Sequence, residues 1–215
     1  MHTALNTLKT ALSALLLSLL LTACGGGGGG SDGGTGSSSS GIPPTSGSAS
    51  TVSVASQYTS VSNYTFCSAG TCSLYSTTMG VNGSFKPASP LAANLTNQDI
   101  SASLESFSFS DGINTYASTD SSVRVFYFQV TTDANARITA LSIKLQQWKS
   151  GVATHVAGDR YSEAFVSSSG GTYGHHNWTC NSIGISQGGA ANSCIGASSS
   201  TASSEASAGA GIITQ

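Results

Sequence analysis

Two adjacent histidines, His175 and His176, precede Cys180 by a few residues, and Asp159 and Glu163 lie upstream of them. Imidazole, thiolate and carboxylate are the donors a transition metal takes. The spacing argues against a shared site, because neighbours on a strand point to opposite faces and no HExxH or CxxC pattern accompanies them. No metal or other cofactor is expected, and His175 and His176 are the candidates should one bind. Gly184-Ile185-Ser186-Gln187-Gly188 fits the G-x-S-x-G pattern of serine hydrolases. That elbow needs a strand before the serine, a helix after it, and the acid and histidine further along the chain. No histidine follows Ser186, and the same pattern recurs by composition at Gly29-Gly30-Ser31-Asp32-Gly33. S-x-x-K is absent. Glu105, Asp111, Asp120, Asp133, Asp159 and Glu163 are scattered, several in turn contexts, so no pair for glycoside hydrolysis stands out. The sequence thus assigns no catalytic residue. Tyr161, Tyr173 and Trp178 remain as aromatics that could stack on a sugar, with core or interface packing an equal explanation for them.

These residues belong to a chain with an unusual start. Thr10 to Leu21 is an apolar run of 12 residues behind the positive charge of Lys9. As a helix it spans about 18 Å against a hydrocarbon core of about 30 Å, too short to cross a membrane and right for a secretory signal. The run ends in Leu21-Thr22-Ala23-Cys24, which resembles the lipobox of bacterial lipoproteins. That resemblance implies cleavage before Cys24, removal of residues 1–23, and diacylglycerol on the Cys24 sulfur, with a third acyl chain on the new amino group in many bacteria. Two or three chains hold a protein stably where one does not. The partner so implied is a membrane, and the place is the cell envelope. Gly25 after the cysteine, rather than Asp, points to the outer membrane in a diderm host.

Residues 24–50 are the lipidated cysteine and a stalk of nearly pure Gly and Ser, which cannot bury enough apolar surface to offset ordering. Flexible-linker scaling gives it an r.m.s. reach of roughly 28 Å. The run of glycines at 25–30 has neither a preceding strand nor a following Gly-Lys-Ser/Thr, so it is not a phosphate loop. Residues 198–215 are again Ser, Ala and Gly and read as a mobile low-complexity tail.

Between them, residues 51–197 show period-two patterning. Arg124 to Val130 is rich in aromatic and β-branched residues, with Phe126, Phe128 and Val130 expected on one face. Asp133 to Ala136 supplies a turn, and Ile138 to Gln147 places Leu141, Ile143 and Leu145 inward with Ser142, Lys144 and Gln146 outward. Asp111-Gly112, between Leu104–Ser110 and Ile113–Ala117, predicts a hairpin with a type I′ turn. Weaker strands are expected at 51–58, 61–66, 73–78, 81–86, 160–167 and 173–179. No window carries a sustained helical stripe. The fold class is therefore all-β, an antiparallel sandwich or flattened barrel of about eight to ten short strands. Charged residues are 7% of the chain against roughly 25% in an average soluble protein, which suits an exported β-protein. A net charge of -2 offers no basic field, so nucleic acid is not an expected partner.

Gly83 to Trp148, with its GSF start, FSFSDG hairpin and TTDA turn before an Ile-led strand, is similar to β-rich domains of exported PEP-CTERM-type proteins. The resemblance covers about a third of the chain and implies export and a β-fold rather than an activity. The sorting tail of those proteins is absent, since the sequence ends in Gly-Ile-Ile-Thr-Gln. Cys67, Cys72, Cys180 and Cys194 are an even number in an exported chain and predict disulfides. Cys67–Cys72 and Cys180–Cys194 is the favoured scheme because each pair brackets a Gly- and Ser-rich loop, with crossed pairing left open. The expected function is a lipid-anchored envelope protein presenting a β-domain as a binding or structural module, with a glycan or an envelope protein as partner. The alternative is an envelope hydrolase acting on glycan or peptide.

Overall fold

A computed structural model describes residues 49–63, 73–151 and 154–215. The expected lipobox, the stalk up to residue 48 and the Cys67–Cys72 pair lie outside the described residues, as does the second half of the strand expected at 61–66. The described residues belong to one compact unit, Thr45–Gln215.

Two antiparallel sheets make up that unit. Strands β1 (Val52–Ala55), β3 (Asn82–Pro87), β5 (Leu104–Ser110), β6 (Thr115–Ala117) and β13 (Ile212–Thr214) form the first, in the order β13-β1-β3-β5-β6. The second holds β2 (Ser60–Asn63), β4 (Gln98–Asp99), β7 (Val123–Thr132), β8 (Ile138–Trp148), β9 (Arg160–Ser167), β10 (Thr172–Gly184) and β12 (Ser204–Ala208). Its order is β2-β12-β10-β9-β8-β7-β4, and β11 (Ser193–Ser198) pairs with the far end of β10. Apart from one 3-10 turn at Ser101–Ser103, the regular structure of the described residues is all strand. A single apolar core lies between the sheets. Val52, Val54, Phe85 and Phe109 of the first sheet meet Phe128, Val130, Ile143, Leu145 and Val166 of the second. Phe85 and Phe128 pack edge to face at 4.6 Å, as ring quadrupoles prefer. The expected antiparallel sandwich is this one, tied by the Cys180–Cys194 disulfide.

Local readings fare unevenly. The alternation of β8 is as expected, with Leu141, Ile143 and Leu145 in the core. Asp133 shapes the β7–β8 turn by accepting the backbone N–H of Asn135 and Arg137. Asp111-Gly112 does turn β5 into β6, but through four residues rather than two. Ser110 pairs with Thr115, and of the two central residues once expected only Gly112 has positive φ, at 94°. The Asp111 side chain replaces the tight turn by accepting the N–H groups of Ile113 and Asn114. Residues 73–78 form no strand; they bring Tyr75 to Asp111 instead.

Thirteen strands exceed the eight to ten expected because several are very short and two lie in the supposed tail. Residues 198–215 contribute β12 and β13, one to each sheet. Ala206 is buried on the core side of β12, and the small Ala and Ser side chains there hide an alternation that larger residues would have advertised. Residues 180–194, expected as a loop, are mostly the β10–β11 hairpin.

Candidate functional site

The eight-stranded sheet has one face in the core and one turned away from it. On β9, Ala164 and Val166 face the core, so Tyr161, Glu163 and Phe165 face outward. The register carries this outward set across the sheet. Tyr127, Lys144, Phe165 and Tyr173 stand side by side on β7, β8, β9 and β10. Beside that row, Gln146, Glu163, His175 and Glu205 make a second, and Trp148, Tyr161 and Trp178 a third. A solvated sheet face is usually polar, and this one is a ladder of rings.

Two β-bulges complete the ladder. One between Val125 and Tyr127 turns Phe126 outward with Tyr127, correcting its expected place beside Phe128 in the core. The other lies between His175 and Trp178, where Asn177 adopts φ 60°, and it brings Trp178 onto the same side as His175. Tyr127 meets Phe165 edge-on at 6.4 Å, and Phe165 leans on Tyr173 at 4.9 Å. His175 is sandwiched between Tyr173 at 4.3 Å and Trp178 at 3.9 Å, nearly parallel to both. His175 therefore spends both ring faces on its neighbours, whereas Phe126 and Tyr127 at the other end meet their neighbours edge to face and remain part-exposed.

Glu163 is the polar hub of this face. It is 3% exposed, and Lys144 Nζ pairs with its Oε1 at 3.1 Å. The Tyr173 hydroxyl donates to the same oxygen at 2.9 Å, and Gln146 Nε2 donates to Oε2 at 2.8 Å. Lys144 also sits over the Phe126 ring, 4.6 Å from its centre. Burial pushes the Tyr173 hydroxyl above its ordinary range, reinforced by the Glu163 charge, so it stays a donor. Burial, with help from Lys144, pushes His175 down to about 4, so its ring is neutral at physiological pH.

The β10–β11 hairpin folds over one half of the face as an arm. Gln146 exchanges two hydrogen bonds with the backbone of Cys194, at 2.9 Å each. At the arm's tip the Ser186 hydroxyl donates to the Val125 carbonyl, and Gly188 N–H donates to that of Phe126. A second, smaller core forms beneath, where Trp148, Tyr161 and the Cys180–Cys194 bridge meet Trp178 and Ile183. Ser186 is a buried strut of this arm rather than a nucleophile.

The sequence-derived aromatics Tyr161, Tyr173 and Trp178 are thus placed on one face but not equivalently. Tyr161 is buried under the arm, Trp178 forms its margin, and Tyr173 lies on the open half. His175 and His176 point to opposite sides of β10. His176 faces inward, its Nδ1 near Asn114 Nδ2 and the Ser162 hydroxyl and its Nε2 near Lys149 Nζ. Burial pushes it, too, down to about 4. That inner network ends on Asp111, wholly buried, whose Oδ2 accepts the hydroxyls of Tyr75 and Tyr116 at 2.8 Å.

Ser150, His155 and Asp159 also come together, an arrangement the residue types would suit to nucleophile activation. Both Ser150 Oγ and Asp159 Oδ2 address the same ring nitrogen, Nδ1, at 3.1 and 3.4 Å. A relay needs the acid on one nitrogen and the serine on the other, so this trio cannot pass a proton through the ring. From sequence, Phe126 and Lys144 are placed only as strand positions, and Tyr127 and Phe165 only within strand ranges; nothing short of the register aligns them as a site. Comparison with protein-family models, curated proteins and solved structures finds no match to this chain.

Proposed function

We propose that this is a lipid-anchored cell-envelope protein whose sandwich is a binding module for a glycan, held beyond the membrane on lipidated Cys24 and a Gly/Ser stalk. The observation that carries the binding half is the ring ladder: aromatic side chains crossing from β7 to β10 on the face away from the core, part-exposed where a polar surface would be ordinary. Phe126 and Tyr127, part-exposed and in no stacked pair, lie with the Lys144 ammonium over the Phe126 ring and offer apolar surface and a hydrogen-bond donor together, the combination that holds a sugar ring. The Lys144–Glu163 pair cancels its own charge, which favours a neutral ligand and disfavours polyanions. Lipidation of Cys24, removal of residues 1–23 and outer-membrane placement rest on Leu21-Thr22-Ala23-Cys24 and Gly25.

Binding is favoured over hydrolysis because both Glu163 oxygens already accept internal donors. Among the described residues, no second carboxylate joins that cluster through a hydrogen bond or ion pair. The test is a fluorescence and thermal-shift titration of residues 45–215, which hold both sheets and their cores, against neutral and anionic envelope glycans. Saturable binding of a neutral glycan that Tyr127→Ala weakens by about fivefold or more supports the reading. Silence across the panel at millimolar sugar rejects a glycan ligand, and crosslinking from Tyr127 on intact cells would then look for an envelope protein. For the anchor, Cys24→Ala should abolish palmitate labelling; continued labelling of that variant would reject it.

A further inference from the structure

The sandwich also has a recess, lined by none of the ring-ladder residues. It lies where the start of β1 in one sheet approaches the start of β8 in the other, a half-open recess of about 500 Å³. That volume falls in the range of small-molecule sites. Val52, Pro87, Pro90, Leu91 and Ile138 supply apolar walls. Arg137, from the β7–β8 turn, supplies the one charged side chain lining it among the described residues.

The wall is built rather than loose. Gln215 closes one side by accepting the Ile138 N–H at 2.9 Å and donating to the Ile138 carbonyl at 2.7 Å. Ala136 holds the turn at φ 61°, which sets the direction of the next residue. Arg137 uses its own N–H on Asp133 Oδ1, at 2.9 Å. Its guanidinium forms no ion pair and no hydrogen bond among the described residues, whereas Arg124 and Arg160 both use theirs on neighbouring oxygens. Asp133, the acid nearest in sequence, turns Oδ1 to its own turn's N–H groups. Arg137 is exposed, so its guanidinium sits at the mouth of the recess, where its fork of donors suits a planar carboxylate or phosphate head on an apolar body.

We propose that this recess binds a single-chain anionic amphiphile, its head on Arg137 and its chain along Val52, Pro87, Leu91 and Ile138. The site is independent of the ring ladder and stands whether or not that face binds a glycan. The last residues before β1, Ala49 and Ser50, also line the recess.

The experiment uses residues 45–215 and displacement of a dansyl-labelled fatty acid, with dodecanoate, dodecyl phosphate and dodecyltrimethylammonium as competitors. Saturable displacement by the anions at one per chain, about tenfold or more better than by the cation, is expected. Arg137→Gln should erase that preference with an unchanged thermal midpoint, since the guanidinium makes no internal bond. Leu91→Asp should weaken both anions further by placing a like charge in the wall. Tighter dodecanoate would identify a fatty-acid head and tighter dodecyl phosphate a lysolipid-type head; either supports the site. No saturable displacement below the micellar concentration, or anion binding undiminished in Arg137→Gln, overturns it.

Discussion

Acidification from pH 7 to pH 5 should strip several kcal/mol from the fold through two histidines. His175 and His176 ionise near 6.5 in the unfolded chain and near 4 in the folded one, in both cases chiefly because burial penalises the charged ring. Lys144 adds to the effect at His175 and Lys149 at His176, while Asp111 opposes it at His176. A histidine with a depressed folded pKa binds fewer protons in the native state, so stability falls as pH drops below 6.5 and levels off near 4. From pH 7 to pH 5 each ring costs about 2 kcal/mol, about 4 kcal/mol together. Both side chains are mostly shielded, His175 18% exposed, so solvent screening removes only a minor part. Against a total stability of roughly 5–15 kcal/mol this is a large fraction. Urea denaturation at pH 7, 6 and 5 at fixed ionic strength measures it. The wild type should lose about 2 kcal/mol more than either His175→Gln or His176→Gln over that range. His155, also pushed down by burial, remains in every variant and cancels in the difference. An equal loss in wild type and variants, or none in the wild type, would refute the assignment.

Three further outcomes follow from the packing. Replacing Cys180 and Cys194 together by Ala opens a closure of 14 residues and should lower stability by about 3 kcal/mol on chain-entropy grounds, read as a fall in the denaturation midpoint; an unmoved midpoint would mean the arm holds without its bridge. Asp111→Asn keeps the volume but confronts the Tyr75, Tyr116 and Asn114 donors with a group that cannot accept from all of them. A loss of about 3–5 kcal/mol is expected by chemical denaturation, and a loss under about 1 kcal/mol would show that the tyrosines find other partners. Truncation after Ala197 removes β12 from between β2 and β10 and β13 from β1, so the fragment should show no cooperative unfolding; a sharp transition would restore residues 198–215 to the status of a tail.

Where side chains are large and alternate, the fold can be read from the chain. Leu141, Ile143 and Leu145 announce the buried face of β8, and the strand expected at 160–167 has those same bounds in β9. Reading fails where the alternating residues are small. In Ser204–Ala208 the buried positions, Ser204 and Ala206, carry only a hydroxymethyl and a methyl, which no hydrophobic periodicity registers. It fails again where a side chain takes over a backbone role. Asp111 satisfies the turn's N–H groups and two tyrosines at once, so the chain adopts a longer connection than Asp-Gly alone suggests.

The ring ladder shows why composition reveals aromatic residues but not a site. Counting by twos from Tyr173 on β10 puts His175 and Asn177 outward and sends Trp178 to the core. Counting by twos from Phe128 on β7 keeps Phe126 inside. Each count is one residue out of phase with the structure, and a one-residue slip moves a side chain to the other face. The slips are the bulges at Phe126 and at His176–Asn177, and they fall near the two ends of the ladder. Asn177 at positive φ gives the only local hint, since asparagine enters that region more easily than other residues with a side chain. With regular strands, Phe126 and Trp178 would crowd the main core, and the outer face would keep only its middle rings. The bulges therefore add Phe126 on β7 and Trp178 on β10 to a patch that already reaches across four strands. Trp178, so placed, packs into the second core under the arm, whereas Phe126 joins the open end of the face and supports the proposed binding surface.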